Sequence, residues 1–155
     1  MKSLTGLDSS TPAQCRAGTT TVTLANGMVK TSVYTAQGEL WTYTESGSGV
    51  TSEVETFKYD KLGRLRITGD ALNQRDFNFY DDAGRMVGQM DRRGFLTEYK
   101  FDAANRLVAT IHYANQMSAG AIASLYDANG APTTATIASV RPAANTERTP
   151  LDQPG

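Results

Sequence analysis

Three acid–base pairs carry the most regular chemistry in this sequence: Asp60 with Arg64, Asp81 with Arg85, and Asp102 with Arg106. A guanidinium four residues from a carboxylate can pair with it, or it can serve an anionic ligand. On the ligand reading, Arg64, Arg66, Arg85, Lys100 and Arg106 form a cationic strand face for an acidic carbohydrate or a cell-surface protein. On the other reading the acids cap turns and the arginines pair with them, each exposed pair worth at most about 1 kcal/mol. The evenness of the recurrence favours capping. Arg92 and Arg93, with Arg75 and Lys100 nearby, make a smaller basic cluster that Asp91 and Glu98 neutralise. Tyr59, Tyr80 and Phe101 could stack on sugar rings, but equivalent positions two strands apart sit about 10 Å from one another, too far for one ring to touch the next. They read better as a core ladder.

The remaining chemistry is thin. His112 is the single histidine and Cys15 the single cysteine. Neither an internal disulfide nor a His/Cys metal cluster can be built from them. No serine or cysteine motif marks a nucleophile. The adjacent carboxylates Asp81 and Asp82 fall inside a turn, where capping explains them. The net charge of −1 gives no signature for nucleic acid or for an anionic membrane. The expectation is a non-enzyme with no catalytic residue, no cofactor and no metal.

The elements that position these pairs repeat. Tyr59-Asp60-Lys61-Leu62-Gly63-Arg64-Leu65 recurs as Tyr80-Asp81-Asp82-Ala83-Gly84-Arg85-Met86 and as Phe101-Asp102-Ala103-Ala104-Asn105-Arg106-Leu107, with a period of 21 residues. Each period holds two turns of the form Asp-x-x-Gly or Asp-x-x-Asn: Asp60 to Gly63, Asp70 to Asn73, Asp81 to Gly84, Asp91 to Gly94 and Asp102 to Asn105. Asp at the first position accepts from the turn's own N–H groups, and Gly or Asn at the fourth takes a positive φ. A type I turn followed by such a residue closes a three-residue hairpin loop. Strict alternation between the turns then puts Phe57, Tyr59, Leu65, Ile67, Tyr80, Met86, Met90, Phe95, Tyr99, Phe101, Leu107 and Ile111 on a dry face. Phe77, Phe79, Val87, Leu96 and Val108 break the alternation and suggest that part of the second face is also covered.

Tyr-Asp-x-x-Gly-Arg-Leu at this spacing resembles the YD repeat of the Rhs family, which includes bacterial Rhs toxins, insecticidal toxin-complex shell proteins and the teneurins. The resemblance covers 57–113, with Phe101 and Asn105 departing from the motif in the third unit. It implies a β-sheet that spirals into a hollow shell, enclosing a toxic domain in the toxins. A chain of 155 residues is too short to close a shell. A proline-rich core signature, a self-cleavage segment and an appended toxin domain are not seen. The resemblance therefore implies a piece of shell wall from a secreted or cell-surface parent. Its partners would be neighbouring repeats, with an enclosed toxin domain or an acidic glycan as further candidates. Residues 1–6 lack the apolar core of a secretory signal, and no stretch is apolar enough to span a bilayer.

Taken in order, residues 1–18 read as a flexible lead-in and 19–113 as the repeat meander of about nine strands. Asn26-Gly27 marks a hairpin, and Tyr34 to Leu40 is a degenerate copy that keeps Tyr, Gly and Leu. Residues 114–141 read as short helices. Ser118 caps the first, Ile122, Leu125 and Tyr126 share a face, and Gly130 stops it; a second helix spans 134–141. Residues 142–155 read as linker. The expected fold is mainly β: an open, curled antiparallel meander of hairpins, a shell fragment, with one or two short C-terminal helices covering a face or edge. A lone sheet cannot bury its apolar side by itself.

Overall fold

The structure, a computed structural model, describes residues 16–142 and 146–150. One antiparallel sheet holds ten strands in strict sequence order. They are β1 (Arg16–Thr23), β2 (Val29–Thr35), β3 (Leu40–Gly47), β4 (Val50–Tyr59), β5 (Leu65–Gly69), β6 (Arg75–Tyr80), β7 (Met86–Met90), β8 (Phe95–Phe101), β9 (Leu107–Gln116) and β10 (Thr146–Pro150). Two short helices, α1 (Ala119–Ala123) and α2 (Ile137–Val140), lie between β9 and β10. The sheet is open and uncurled, not curled as the resemblance implies: β1 and β10 are the two edges and do not meet.

Three boundaries move. β1 starts at Arg16, inside the expected lead-in, whose remaining residues 1–15 lie outside the described residues. The expected linker contributes β10, which pairs with β9 from Thr146↔Tyr113 to Pro150↔Ala109. Its proline stands at the end of an edge strand, where a missing N–H costs least. The first helix stops at Ser124, because Asp127 to Gly130 forms a repeat-type turn of its own: Gly130 N–H donates to the Asp127 carbonyl at 2.9 Å and Gly130 has φ of 72°. A single bridge, Tyr126↔Pro132, closes that hairpin.

The largest departure from the sequence expectation concerns the faces. Tyr59 pairs with Leu65, but Lys58 pairs with Ile67, leaving Arg66 as an extra residue. The same slip recurs at Val87, between Tyr80↔Met86 and Phe79↔Gly88. It recurs again at Val108, between Phe101↔Leu107 and Lys100↔Ala109. The degenerate copy has it at Trp41, between Tyr34↔Leu40 and Val33↔Thr42. Each is a β-bulge one residue past the Arg-Leu of the repeat. A one-residue slip exchanges the faces of everything beyond it. Strict alternation therefore mis-assigns half of each strand pair: Phe57, expected on the dry face, pairs with Thr68 on the open one.

One row of the covered face runs Lys58–Ile67–Phe77–Met90–Leu96 across five strands, and the next runs Phe79–Gly88–Glu98–Ile111. Ile67, Phe77, Phe79, Met90 and Leu96 are buried together with Tyr113, Met117, Leu125 and Val140. The chain after β9 supplies the cover. α2 sits on Gly88, where an added Cβ would come within 2.4 Å of Ile137 Cδ1 and 2.9 Å of the Thr97 carbonyl oxygen. Gly88→Ala is thus expected to lift α2 off the sheet and cost about 1–3 kcal/mol by overpacking. Chemical denaturation measures the loss, with Gly120→Ala as the control, because a Cβ there meets nothing within 4 Å.

The cover stops at β5. On β1 to β4 the same face carries Thr19, Thr21 and Thr23, then Val33, Thr31 and Val29, then Thr42, Thr44 and Ser46, then Thr56 and Val54. Lys58, at the β5 end of β4, is the charge on this face, and its ammonium lies 5.5 Å from the Trp41 ring centre. The opposite face of these strands is mixed: Lys30 pairs with Glu45 at 2.7 Å, and Val22 and Phe57 lie on the same side.

Candidate functional site

The turns show what the acid–base pairs do. Each Asp carbonyl accepts the N–H of the fourth turn residue, at 3.0 Å for Asp60, Asp70, Asp81 and Asp102 and at 2.8 Å for Asp91. The fourth residue has positive φ throughout: Gly63 75°, Asn73 63°, Gly84 82°, Gly94 89° and Asn105 66°. One carboxylate oxygen of each Asp caps the loop. Asp60 Oδ1 accepts from the N–H groups of Leu62 and Arg64, and Asp70 Oδ1 from those of Leu72 and Gln74. Asp91 Oδ1 takes those of Arg93 and Phe95.

The second carboxylate oxygen holds the arginine. Arg64 Nε lies 2.8 Å from Asp60 Oδ2, Arg85 Nε 2.7 Å from Asp81 Oδ2, and Arg106 Nε 2.8 Å from Asp102 Oδ2. So anchored, the guanidinium plane reaches the next repeat. Arg64 lies 4.8 Å from the Tyr80 ring centre and donates to the Asp81 carbonyl at 3.1 Å. Arg85 lies 5.0 Å from the Phe101 ring centre and donates to Asn105 Oδ1 at 2.9 Å. The motif is therefore a clamp between consecutive units, and its parts recur every 21 residues because the arginine of one unit needs the aromatic and turn of the next. Lysine cannot copy a planar group that pairs at one edge and stacks on its face. Arg85→Lys should lower the melting temperature by about 2–4 °C while charge is unchanged, measurable by circular dichroism.

Electrostatics follow the hydrogen bonds. The Arg85 and Arg106 backbone N–H groups, against a smaller opposing push from burial, hold the Asp81 and Asp102 carboxyls below the usual range. At Asp60 burial pushes the carboxyl up, but the combined donors of Arg64 and Leu62 outweigh it and hold it down.

The five cations expected on one ligand face do not share one. Arg64, Arg85 and Arg106 stand at turn bases with their acids. Arg66, a bulge residue, reaches over the covered side: it donates to the Asn78 carbonyl at 2.7 Å and the Ala135 carbonyl at 3.4 Å, and lies 5.8 Å from the Phe79 ring centre. Lys100 is on the helix-covered face, paired with Glu98. In the smaller basic cluster, Arg92 bonds Asp70 and Asp76, Arg93 bonds Asp91, and Arg75 lies 4.0 Å from the Tyr126 ring centre.

From sequence, Glu98 is an acid that neutralises a solvated basic cluster; the structure instead buries it beneath the cover, still beside Lys100. Glu98 is 2% exposed, the one charged residue in the core among the described residues. Arg141, just past α2, grips it with two bonds, Nη2 to Oε1 at 2.7 Å and Nε to Oε2 at 3.1 Å. Tyr113 Oη donates at 2.9 Å, and Lys100 Nζ completes the set. Burial pushes the Glu98 carboxyl up, but Arg141, Lys100 and Tyr113 together hold it below the usual range.

The open face has a shallow polar pocket of about 390 Å³ lined by Asp76, Asn78, Gln89, Phe95, Thr97 and His112 among others. Its polar groups are bonded to one another, Gln89 to Asn78 and Tyr99, and Thr97 to His112. Among the described residues no cluster of His, Cys, Asp and Glu could hold a metal, and no helix is long and apolar enough to cross a membrane.

The model of the RHS Repeat family matches residues 80–116, the stretch from the Tyr80 clamp to the end of β9. That stretch is an RHS repeat, in agreement with the YD-repeat resemblance of the sequence. No curated protein matches it. The matched stretch contains the Asp81, Asp91 and Asp102 turns, the bulges at Val87 and Val108, and the Arg85–Phe101 clamp, so these features are the physical content of the RHS repeat here. By the same geometry, the unit from Tyr59 to Tyr80 is another copy, with the bulge at Arg66 and the Arg64–Tyr80 clamp.

Proposed function

We propose that this chain is wall: a structural RHS-repeat segment of a larger surface or secreted protein, without catalysis of its own. The observation that carries the reading is the use of the motif's polar groups. Each Asp and Arg of the repeat is bonded to its own turn, and Arg64 and Arg85 are bonded to the next unit as well. In the parent, neighbouring repeats add to the backbone edge at β1 and pack on the uncovered Thr/Val face of β1 to β4, serving toxin enclosure, delivery or adhesion. Exposed strand edges pair readily with other chains. The chain alone is expected to be β-rich by circular dichroism and to self-associate as its concentration rises in light scattering on a size-exclusion column. Adding edge charge with Thr21→Lys and Thr23→Lys should reduce that association. Wild-type protein that stays monomeric at every concentration would count against the edge-pairing reading. A heparin-binding cationic face, in contrast, would show as retention lost on neutralising Arg85 and Arg106.

A further inference from the structure

We propose that residues 117–142 form a releasable cover, latched shut by Glu98 and Arg141, that acid opens while the sheet beneath stays paired. The cover has little structure of its own. Its helices have five and four residues and its hairpin one bridge. Helices this short do not persist in water without tertiary contacts. The cover therefore stays on the sheet through what it touches: Met117, Leu125 and Val140 in the core, Ile137 over Gly88, Tyr126 against Phe77 and Arg75, the Ala135 carbonyl on Arg66, and the Arg141 grip on Glu98, the contact among these that carries a titrating acid.

The groups facing Glu98 make the latch one-sided. From its own strand comes Lys100, from β9 Tyr113, and from the end of α2 Arg141. Its cross-strand neighbours, Gly88 on β7 and Ile111 on β9, bring no charge. With Glu98 ionised, one carboxylate holds two cations. With Glu98 protonated, two cations face a neutral acid, and attraction gives way to repulsion. The Arg141 side chain is 38% exposed, so it can swing into water and take α2 with it. Lys100 stays on its strand. The strand ladder has no titrating group in its backbone bonds, so the sheet outlasts the cover. Opening exposes Phe77, Phe79, Met90 and Leu96.

The sign follows from Glu98 being held below its ordinary value of 4.5. Its contribution is complete above that value and is lost as pH falls through the lowered one. The turn carboxylates Asp60, Asp81 and Asp102 are also held low and weaken the hairpins in the same direction. A readout specific to the cover is therefore needed.

Amide hydrogen exchange on the full chain provides it, as protection factors from pH 7 to 3. In the wild type, the amides of Leu125, Thr133 and Ser139 should lose protection at least tenfold at a pH where those of Phe77 and Phe79 are unchanged. In Glu98→Gln the cover should already be less protected at pH 7, and its protection relative to the strands should no longer vary with pH. Loss of cover and strand protection together at every pH would overturn the latch. So would a Glu98→Gln protein with the wild-type pH profile. If Glu98→Gln does not fold, Arg141→Lys carries the test: it keeps the charge but loses the two-point grip, and opening must move to higher pH. An unchanged opening pH refutes the proposal.

Discussion

Phe79→Ala should destabilise the protein by about 4 kcal/mol, whereas Phe57→Ala should cost much less, near 1 kcal/mol. The contrast runs against strict alternation, which puts Phe57 on the dry face and treats Phe79 as an exception. The bulge at Arg66 reverses the order. Phe79 is 2% exposed and lies in the row with Gly88 and Glu98 beneath the cover, while Phe57 is half-buried opposite Thr68 on the uncovered face. Truncating Phe79 leaves a cavity between sheet and cover that rigid strands cannot collapse. Urea unfolding of the two variants decides the matter: equal losses would mean that the two faces are equally dry and that the bulge does not set the core.

Arg141→Ala should cost about 3 kcal/mol at neutral pH, because it removes the two-point partner of a carboxylate that stays buried. Lys100 and Tyr113 remain to Glu98, which keeps the cost below that of a wholly unpaired charge. The penalty carries a pH signature. Glu98 is held below its usual range in the folded protein, so the pair stabilises above that range and stops doing so as the acid is protonated. The gap between wild type and Arg141→Ala should therefore shrink as pH falls toward 3. Paired unfolding curves at pH 7 and pH 3 check this. A gap that is constant with pH would assign the arginine a packing role only.

Much of this fold was legible in local chemistry. Asp60, Asp81 and Asp102, each followed by Gly or Asn three residues on, specify the hairpins because capping and positive φ are local demands. The arginine beside each turn was legible as a partner of its acid for the same reason. The bulges were not, because an extra residue keeps the turn spacing while moving every side chain beyond it to the other face. Their trace was present in Phe77, Phe79 and Val87, apolar residues out of phase with the alternation. β10 was hidden because Thr146-Glu147-Arg148-Thr149-Pro150 is polar, and its pairing with β9 comes from backbone groups that any sequence carries. The Glu98 site was hidden for a different reason. Glu98 and Arg141 are 43 residues apart in the chain, and only the folded cover brings them together.

The central claim is that the repeat's arginines hold consecutive units to each other. The melting temperature of the triple variant Arg64→Gln, Arg85→Gln, Arg106→Gln tests it most directly. Loss of the Asp60, Asp81 and Asp102 pairs and of the stacking on Tyr80 and Phe101 should lower it by roughly 5–10 °C. A triple variant that melts with the wild type would mean that these cations are not structural, and the contacts between units would then have to come from the backbone ladder and the covered core alone.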